Sequence, residues 1–298
     1  MTGDLLLKRS PFEVKSLLRP FARWTMDHLP DFLAVQVRYF QKFGKLARLK
    51  GPQTLNEKIA WRKLHQRNYY FSLFADKVAV KAQVAELVGA QHVIETLWAG
   101  EDPAAIPFDE LQAPYVIKTN HGSGGLIFIR KQSEVNREEI IASLREQLAF
   151  PYGHDSRERA YLDIPPRVLV ERMIETPDGA PPQDYKFFVY HGRAHFIQVD
   201  TDRFSGHKRT LFDREWNRLP AVLNYPPVQH DLPSPANLDE MISLAEKIGG
   251  QFDFVRVDLY SVQQGILFGE VTFYPNAGYE RFEPEEWDVR FGEPWKLE

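Results

Sequence analysis

The 298-residue sequence contains no cysteine, which excludes disulfides, thiolate metal sites and a cysteine nucleophile. Any metal must therefore be held by oxygen or imidazole ligands. No apolar run approaches the ~20 residues that span a bilayer. The Leu5-Leu6-Leu7 run is also shorter than the roughly 7 to 15 apolar residues of a signal-peptide core, so the chain is expected to stay in the cytoplasm. Also missing are a Gly-Lys-Ser/Thr phosphate loop, a glycine fingerprint opening a helix, and any Ser-His-Asp or Cys-His arrangement. No internal repeat or low-complexity segment is evident.

With 43% hydrophobic residues, the chain can bury a sizeable core as one large domain or two to three subdomains. Its formal net charge of -4 hides an asymmetry: residues 1–67 carry 14 Lys/Arg against 5 Asp/Glu, and the remainder 23 against 36. From Pro11 to about Lys50, residues such as Phe12, Leu17, Phe21, Trp24, Leu33 and Phe40 recur at helical spacing among basic side chains, and Pro20 and Pro30 break the run into short helices. Such a basic amphipathic extension, residues 1–50, either packs on the body with a solvated face or lies on an anionic membrane surface. No nucleic-acid-binding motif accompanies the charge, so nucleic acid is not an expected partner.

The stretch from Tyr115 to Arg130 reads as strand, flexible loop, strand. A β-branched apolar run ends in Lys118, a turn of Gly122, Ser123, Gly124 and Gly125 follows His121, and Leu126 to Ile129 returns to strand-like residues. Glycines let the backbone approach a ligand closely, and the Lys118 ammonium adds positive potential for phosphate oxygens. A plain hairpin would also explain the glycines.

Thr54 to Glu57 has the form of a capping box, predicting a helix through Trp61 and Leu64. A further helix is expected from Phe71 to Val88, carrying Asp76-Lys77 and Lys81, and another from Val135 to Phe150. Arg167 to Ile174 reads as a buried strand leaving Glu171 at its end, and Thr176 to Pro182 as a turn or hinge. Tyr185–Tyr190 and Ala194–Val199 form a hairpin, Arg203 to Arg209 a basic loop, and Leu238–Ile248 a helix capped by Asn237. Phe254–Tyr260 and Ile266–Phe273 are the last strands, and the mixture favours α+β over a parallel doubly wound sheet.

Two acids stand out, Asp258 and Glu270, each within an otherwise apolar strand. On adjacent antiparallel strands their carboxylates would face each other, which is costly unless a cation intervenes. Magnesium or manganese bridging them to nucleotide phosphates removes the conflict. Arg256 points to the same face as Asp258, to fork a phosphate or to pair with one of the acids. Asp184-Tyr-Lys186 supplies a further same-face acid and base.

Taken in order, these features resemble the ATP-grasp superfamily. In detail, Leu55-Asn-Glu-Lys-Ile59, Ala75-Asp-Lys77, Lys118-Thr-Asn-His-Gly-Ser-Gly-Gly125, Asp184-Tyr-Lys-Phe-Phe188 and Gly269-Glu-Val-Thr-Phe-Tyr-Pro275 are similar to the TupA-like ATP-grasp family, over about residues 52–295. The resemblance implies an α+β ATP-grasp fold in which two subdomains sandwich ATP. Behind the 1–50 extension would lie a helical and α+β region at 51–112, a subdomain with glycine loop and hinge at 113–175, and a C-terminal subdomain with the metal site at 176–298. Lys77 and Lys118 would contact phosphates, the loop from His121 to Gly125 would close over them, and Glu171, Arg172, Met173 and Ile174 would form the adenine hinge. Asp184 would serve the ribose and Lys186 a phosphate, with Asp258, Glu270 and Thr272 as metal ligands. Thr272 departs from the asparagine common at that position, and Asn276 is a nearby substitute.

The implied activity is ATP-dependent amide formation through an acyl phosphate, with Lys118, Lys186 and Arg256 stabilising the transferring charge. The family's association with cell-surface polysaccharides implies a uronic acid carboxylate of a glycan or precursor as the acid, and an amino acid as the amine. Arg203, His207, Lys208 and Arg209 have the character to hold that anionic glycan, and residues 1–50 to dock at the inner face of the membrane. A metal-dependent glycosyltransferase and an ATP-dependent glycan kinase are the alternatives.

Overall fold

The computed structural model describes residues 28–176, 179, 181–202 and 206–297. Most of the basic extension and Arg203 lie outside them. Helix α1 (Asp31–Phe43) follows Pro30 and ends where Gly44 takes φ 71°. Its Val35 and Tyr39 pack with Ala60 of α2 (Leu55–His65). The capping box forms as expected: the Thr54 hydroxyl accepts from Glu57 N at 3.1 Å, and the Glu57 carboxylate accepts from Thr54 N at 3.3 Å.

The family-like segment at the start of α2 docks the helix. Asn56 Nδ2 donates to Glu280 O at 2.9 Å and to Asp288 Oδ2 at 2.8 Å, while Lys58 Nζ donates to Gly292 O at 2.8 Å. Arg62, wholly buried, donates to Phe254 O at 2.8 Å and to Phe273 O at 3.2 Å, and lies 4.1 Å above the Trp295 ring. Buried cations here satisfy backbone carbonyls at strand ends, so removing one strands acceptors in the interior.

The helix expected over 71–88 is two, α3 (Tyr69–Ala75) and α4 (Val80–Val88). Asp76 breaks it: its Oδ1 accepts from Val78 N at 2.8 Å and from Asn120 Nδ2 at 2.9 Å, and its Oδ2 from Arg167 at 3.0 Å. An aspartate side chain that captures nearby N–H groups competes with the helical ladder. The resulting turn carries Lys77 away from the helix surface.

Two antiparallel sheets organise the rest, and the α+β class stands as expected. The smaller contains β1 (Thr96–Gly100), β2 (Tyr115–Thr119), β3 (Ile127–Ile129) and β4 (Val168–Arg172) in the order β1-β4-β2-β3. Ile140 and Leu144 of α5 (Arg137–Ala149) join Ile117 and Val170 in its separate core. A short helix α6 (Arg159–Leu162) precedes β4.

The larger sheet contains β5 (Asp184–Tyr190), β6 (Arg193–Thr201), β7 (Lys208–Asp213), β9 (Phe254–Val262) and β10 (Gly265–Thr272), in the order β10-β9-β5-β6-β7. β5 and β6 join through His191 and Gly192, both at positive φ, the geometry a two-residue hairpin favours. Helix α7 (Leu238–Gly249) packs Met241, Ala245 and Ile248 into the core beneath β5, β6 and β9. A ribbon of β8 (Val222–Leu223) and β11 (Phe282–Glu283), then α8 (Glu286–Gly292), closes the end that α2 grips.

Two local expectations are corrected. Lys208 and Arg209 are not in a loop: they open β7, opposite Thr201 and Asp200 of β6, where Arg209 finds an acidic partner across the strands. Asn237 precedes α7 without capping it, because its Oδ1 accepts from Ser261 Oγ at 2.9 Å.

Candidate active site

In the larger sheet, Lys186 of β5 lies opposite Asp258 of β9, which lies opposite Glu270 of β10. Simple alternation would not produce that last pairing. The register slips at Gly269: Phe268 faces Leu259, yet Glu270, two residues on, faces the adjoining Asp258. This bulge brings both acids to one face. A Cβ at Gly269 would sit 3.0 Å from the Tyr260 ring and 3.1 Å from Asp258 O, so glycine permits the close approach.

The charges on that face are shared. Arg256 donates Nε to Asp258 Oδ1 at 2.7 Å and Nη2 to Asp258 Oδ2 at 2.8 Å, and also reaches Thr272 Oγ1 at 3.1 Å. Lys186 donates to Asp184 Oδ2 at 2.6 Å and to Asp258. Burial disfavours the Arg256 cation, but the Asp258 carboxylate outweighs it and raises the arginine's pKa further. Glu270 lies 3.6 Å from Arg256 and 3.5 Å from Lys77. Burial opposes its ionisation, yet Lys77, Lys186, Arg256 and Lys118 bring its pKa down to about 2.

The smaller sheet contributes a second cluster. Lys118 of β2 pairs with Glu171 of β4, and Lys81 of α4 pairs with the other oxygen of the same carboxylate at 2.5 Å. Burial raises the Glu171 pKa, but the two lysines outweigh it and hold the group ionised. Burial likewise lowers the Lys81 pKa against the pull of Glu171.

Lys77 joins the first cluster to the glycine loop: its Nζ donates to Gly122 O at 2.7 Å while facing Glu270. Ser123, Gly124 and Gly125 are exposed, with Gly124 and Gly125 at φ 80° and 64°. Tyr152 hydrogen-bonds Ser123 and lies within electrostatic reach of Glu270 and Arg256.

The structure therefore brings together Lys77, Lys118, Gly122 to Gly125, Glu171, Asp184, Lys186, Arg256, Asp258, Glu270 and Thr272. Others stand apart. His121 is buried at the loop's base, with Nδ1 3.4 Å from Asn120 Oδ1, and burial lowers its pKa. Buried there, it is placed to hold the turn, while the exposed Ser123 to Gly125 form the part of the loop that faces outward. Arg172 turns to Glu95 at 3.2 Å, and Met173 N donates to Pro114 O at 3.3 Å. Ile174 follows β4, on the connection between the sheets.

Two of the expected glycan cations, His207 and Arg209, come together on protein groups, both reaching Asp200 and both lying against Tyr225. Arg209 is buried and forks Asp200 at 2.7 and 3.1 Å, and His207 stacks on Tyr225 with ring centres 3.8 Å apart. Lys208 opens β7, and Arg203 lies outside the described residues. Lys81 and Asp200 were not anticipated as site members. Lys81 sits one helical turn beyond Lys77 in sequence, the one signal that could have flagged it, and Asp200 became visible once it paired with Asp184 across the hairpin.

The metal expectation fits in part. Among the described residues no group of three His, Asp or Glu side chains converges as a cation site. Both Asp258 oxygens are taken by Arg256 and Lys186, and the Thr272 hydroxyl by Arg256. The repulsion expected between Asp258 and Glu270 is thus relieved by protein cations. Glu270, with its side chain 37% exposed, is the remaining oxygen donor able to meet an ion.

The family described as TupA-like ATPgrasp matches residues 57–296. The chain belongs to that family. Solved structures similar to this ATP-grasp chain include the D-alanine–D-alanine ligase of Bacillus anthracis complexed with ATP, at 16% identity and TM-score 0.40 over 68% of this chain and 56% of that one. The L-amino acid ligase of Bacillus licheniformis is similar at 11% identity and TM-score 0.45 over 92% and 59%. The ATP-grasp ligase PsnB, complexed with minimal precursor, is similar at 11% and 0.40 over 73% and 59%. The chain thus spans between 56% and 59% of the length of these three structures. A search of curated proteins finds no match.

Proposed function

We propose that this protein is an ATP-dependent carboxylate-amine ligase that joins an amino acid to a uronic acid carboxylate of a cell-surface polysaccharide or its precursor. The observation that carries the reading is that Lys77 ties the glycine loop, through Gly122 O, to Glu270 of the acid and base cluster on the larger sheet. Lys118 would receive phosphates on one side, with Lys81, held by Ile94 O, Thr96 and Glu171, adding positive charge behind it. Lys186 and Arg256 would meet them from the larger sheet, where they hold Asp258.

In the proposed reaction a carboxylate oxygen of the acid attacks the γ-phosphorus of ATP, and the bond to the β-phosphate oxygen breaks to release ADP. The amine nitrogen then attacks the acyl carbon, phosphate leaves with the bonding pair, and the nitrogen loses a proton. The protein's task is positioning and charge neutralisation, with no covalent enzyme intermediate. Lys118 and Lys186 neutralise the transferring phosphoryl group, and Arg256 faces the acyl phosphate. Gly122 to Gly125 cover the phosphates, while the chain after Glu171 borders the adenine and Asp184 the ribose. Magnesium or manganese would enter with the nucleotide, adding positive charge at the phosphates, with Glu270 as its protein ligand. An ion at Asp258 or Thr272 would compete with Arg256 and Lys186, which already donate to those oxygens.

Purified protein incubated with ATP, magnesium, a glucuronic acid glycan and mixed amino acids tests the reading. ADP with the mass gain of an amide is expected. ADP with a phosphate mass gain would replace the ligase with a glycan kinase, and UDP release from a sugar donor would replace it with a transferase.

Peripheral membrane contact through residues 1–50 belongs to the same proposal. Among the described residues no helix is long and apolar enough to cross a membrane. On α1, however, Leu33 and Phe40 are exposed opposite the buried Val35 and Tyr39, and Phe32 and Leu46 are exposed nearby. Recovery with anionic liposomes, weakened by salt, is expected on flotation. Equal recovery with neutral liposomes would sink the idea.

A further inference from the structure

Helix α1 lies outside residues 57–296, over which the family matches, yet its charges hold the segment on which the glycine loop leans. Asp31 opens the helix, and its Oδ1 lies 3.0 Å from Arg157 Nε while its Oδ2 accepts from Arg159. Further along α1, Arg38 lies 3.7 Å from Asp155. Arg157 also donates Nη1 to His154 O at 2.7 Å and Nη2 to Leu29 O at 3.3 Å. Because Arg157 is buried, Asp31 answers a charge that is largely withdrawn from water.

The clamped segment is tightly built. Gly153 takes φ 83° and its O accepts from Glu158 N at 2.8 Å; a Cβ there would sit 2.8 Å from Glu158 O, so glycine is what closes the turn. Glu158 is buried and accepts from Ser156 Oγ. Beside the turn, the Tyr152 ring stands edge-on to the buried Tyr161, with centres 4.9 Å apart. The glycine loop meets this segment twice. The His121 ring hydrogen-bonds the Phe150 backbone at the loop's base, and Ser123 hydrogen-bonds Tyr152 nearer its tip. The tip itself has room to move: Ser123 to Gly125 are exposed, and a Cβ at Gly124 would meet nothing within 4 Å.

We propose that α1 sets the position of the glycine loop, with Asp31 and Tyr152 as positioning residues that act through Arg157, Arg159 and Ser123. The inference rests on the nucleotide-covering role proposed for the loop, and on neither the acid nor the amine. An exposed loop with two glycines at positive φ loses much conformational entropy when it closes on a ligand. A tyrosine fixed on a clamped segment holds Ser123 beforehand, so less of that cost falls on binding. Tyr152 also lies within electrostatic reach of Glu270 and Arg256, which keeps the loop on the side of the charged sheet face. Releasing Asp31 would free Arg157 and Arg159, loosen the turn at Gly153 and so loosen Tyr152.

Hydrogen exchange and calorimetry with ATP and magnesium, both on the full chain, test the link. Asp31→Asn should speed exchange at residues 121–126 and 150–158 by about tenfold, with the core strands of both sheets unchanged. The same variant should weaken ATP binding by about fivefold. Asp31→Glu should restore both, and Arg159→Gln, which leaves α1 intact, should speed exchange at the same residues. Tyr152→Phe should weaken ATP binding by about fivefold in the wild-type background and by nothing further in the Ser123→Ala background, the signature of one residue acting through the other. Loop exchange unchanged by Asp31→Asn, or raised equally throughout the core, overturns the proposal. An undiminished effect of Tyr152→Phe on top of Ser123→Ala does so too. The two readings fail separately: a wild type that binds no ATP removes the nucleotide reading, while faster loop exchange in Asp31→Asn still upholds the link from α1. Tight ATP binding with unchanged loop exchange does the reverse.

Discussion

Glu171 and Asp258 are both buried carboxylates gripped by two cations, yet their surroundings carry different balances of charge. Around Glu171 stand Lys81 and Lys118 with no second acid, a surplus of one positive charge. Around Asp258 stand Arg256 and Lys186, which Asp184 and Glu270 share, and Lys77 lies 3.5 Å from Glu270, so three acids meet three bases and the charges balance. Interactions between such groups are strengthened where water is excluded. A positive surplus on the smaller sheet is what the proposed nucleotide phosphates would meet. On the larger sheet the balance depends on Lys77, which arrives from outside the sheet and also holds Gly122 O of the glycine loop.

The largest expected effect comes from breaking the balanced side. Arg256→Met leaves Asp258 with Lys186 alone beside Glu270, and removing one partner of a buried ion pair costs about 3–5 kcal/mol. Chemical denaturation should show that loss together with loss of ADP formation. Asp258→Asn keeps the shape and should lower ADP formation by roughly 10²–10³-fold, with a smaller change in stability. Wild-type turnover by that variant would remove Asp258 from the chemistry.

Next comes the surplus. Lys118→Met and Lys81→Met should each weaken ATP binding by about tenfold, or ~1.4 kcal/mol, whereas Glu171→Gln, which keeps both lysines, should cost less. If Glu171→Gln alone abolishes binding while Lys118→Met does not, the carboxylate and not the positive surplus is what the nucleotide meets.

A pH series sharpens the contrast further. Glu270 is held at about 2 against 4.5 for the free side chain, so the stability it adds is fully present above pH 4.5 and is lost as pH falls towards 2. The Glu270→Gln variant should lose less stability over that range than the wild type. An identical acid-side slope in both would mean that Lys77 and Arg256 do not hold Glu270 in solution.

The smallest effect is expected at Lys208. Lys208→Ala should change acceptor KM by less than about twofold, as a substitution away from buried networks, while Arg209→Ala should lower thermal stability because it uncovers the buried Asp200. Had both residues been loop ligands, the two variants would have behaved alike.

The local grammar of the fold was legible before any coordinates. The Thr54 capping box, the glycine stop after Val88, the hairpin at His191-Gly192 and the alternation through Phe254–Tyr260 each depend on neighbours a few residues apart, where residue chemistry dictates backbone geometry. The order of Lys118, its glycine loop, Glu171, Arg256-x-Asp258 and Glu270 was likewise readable and sufficed to suggest the family. Register and charge pairing were not. Whether Glu270 faces Asp258 depends on a one-residue slip at Gly269, and such a slip exchanges the two faces of a strand without altering its composition. Whether two carboxylates repel or share cations depends on side chains distant in sequence: Lys186 lies 72 residues from Asp258, and Lys81 reaches Glu171 across the end of the smaller sheet. The sequence by itself determined the elements and the inventory of charges. The tertiary structure decided which acid meets which base, because electrostatic energy falls with distance through space and takes no account of distance along the chain.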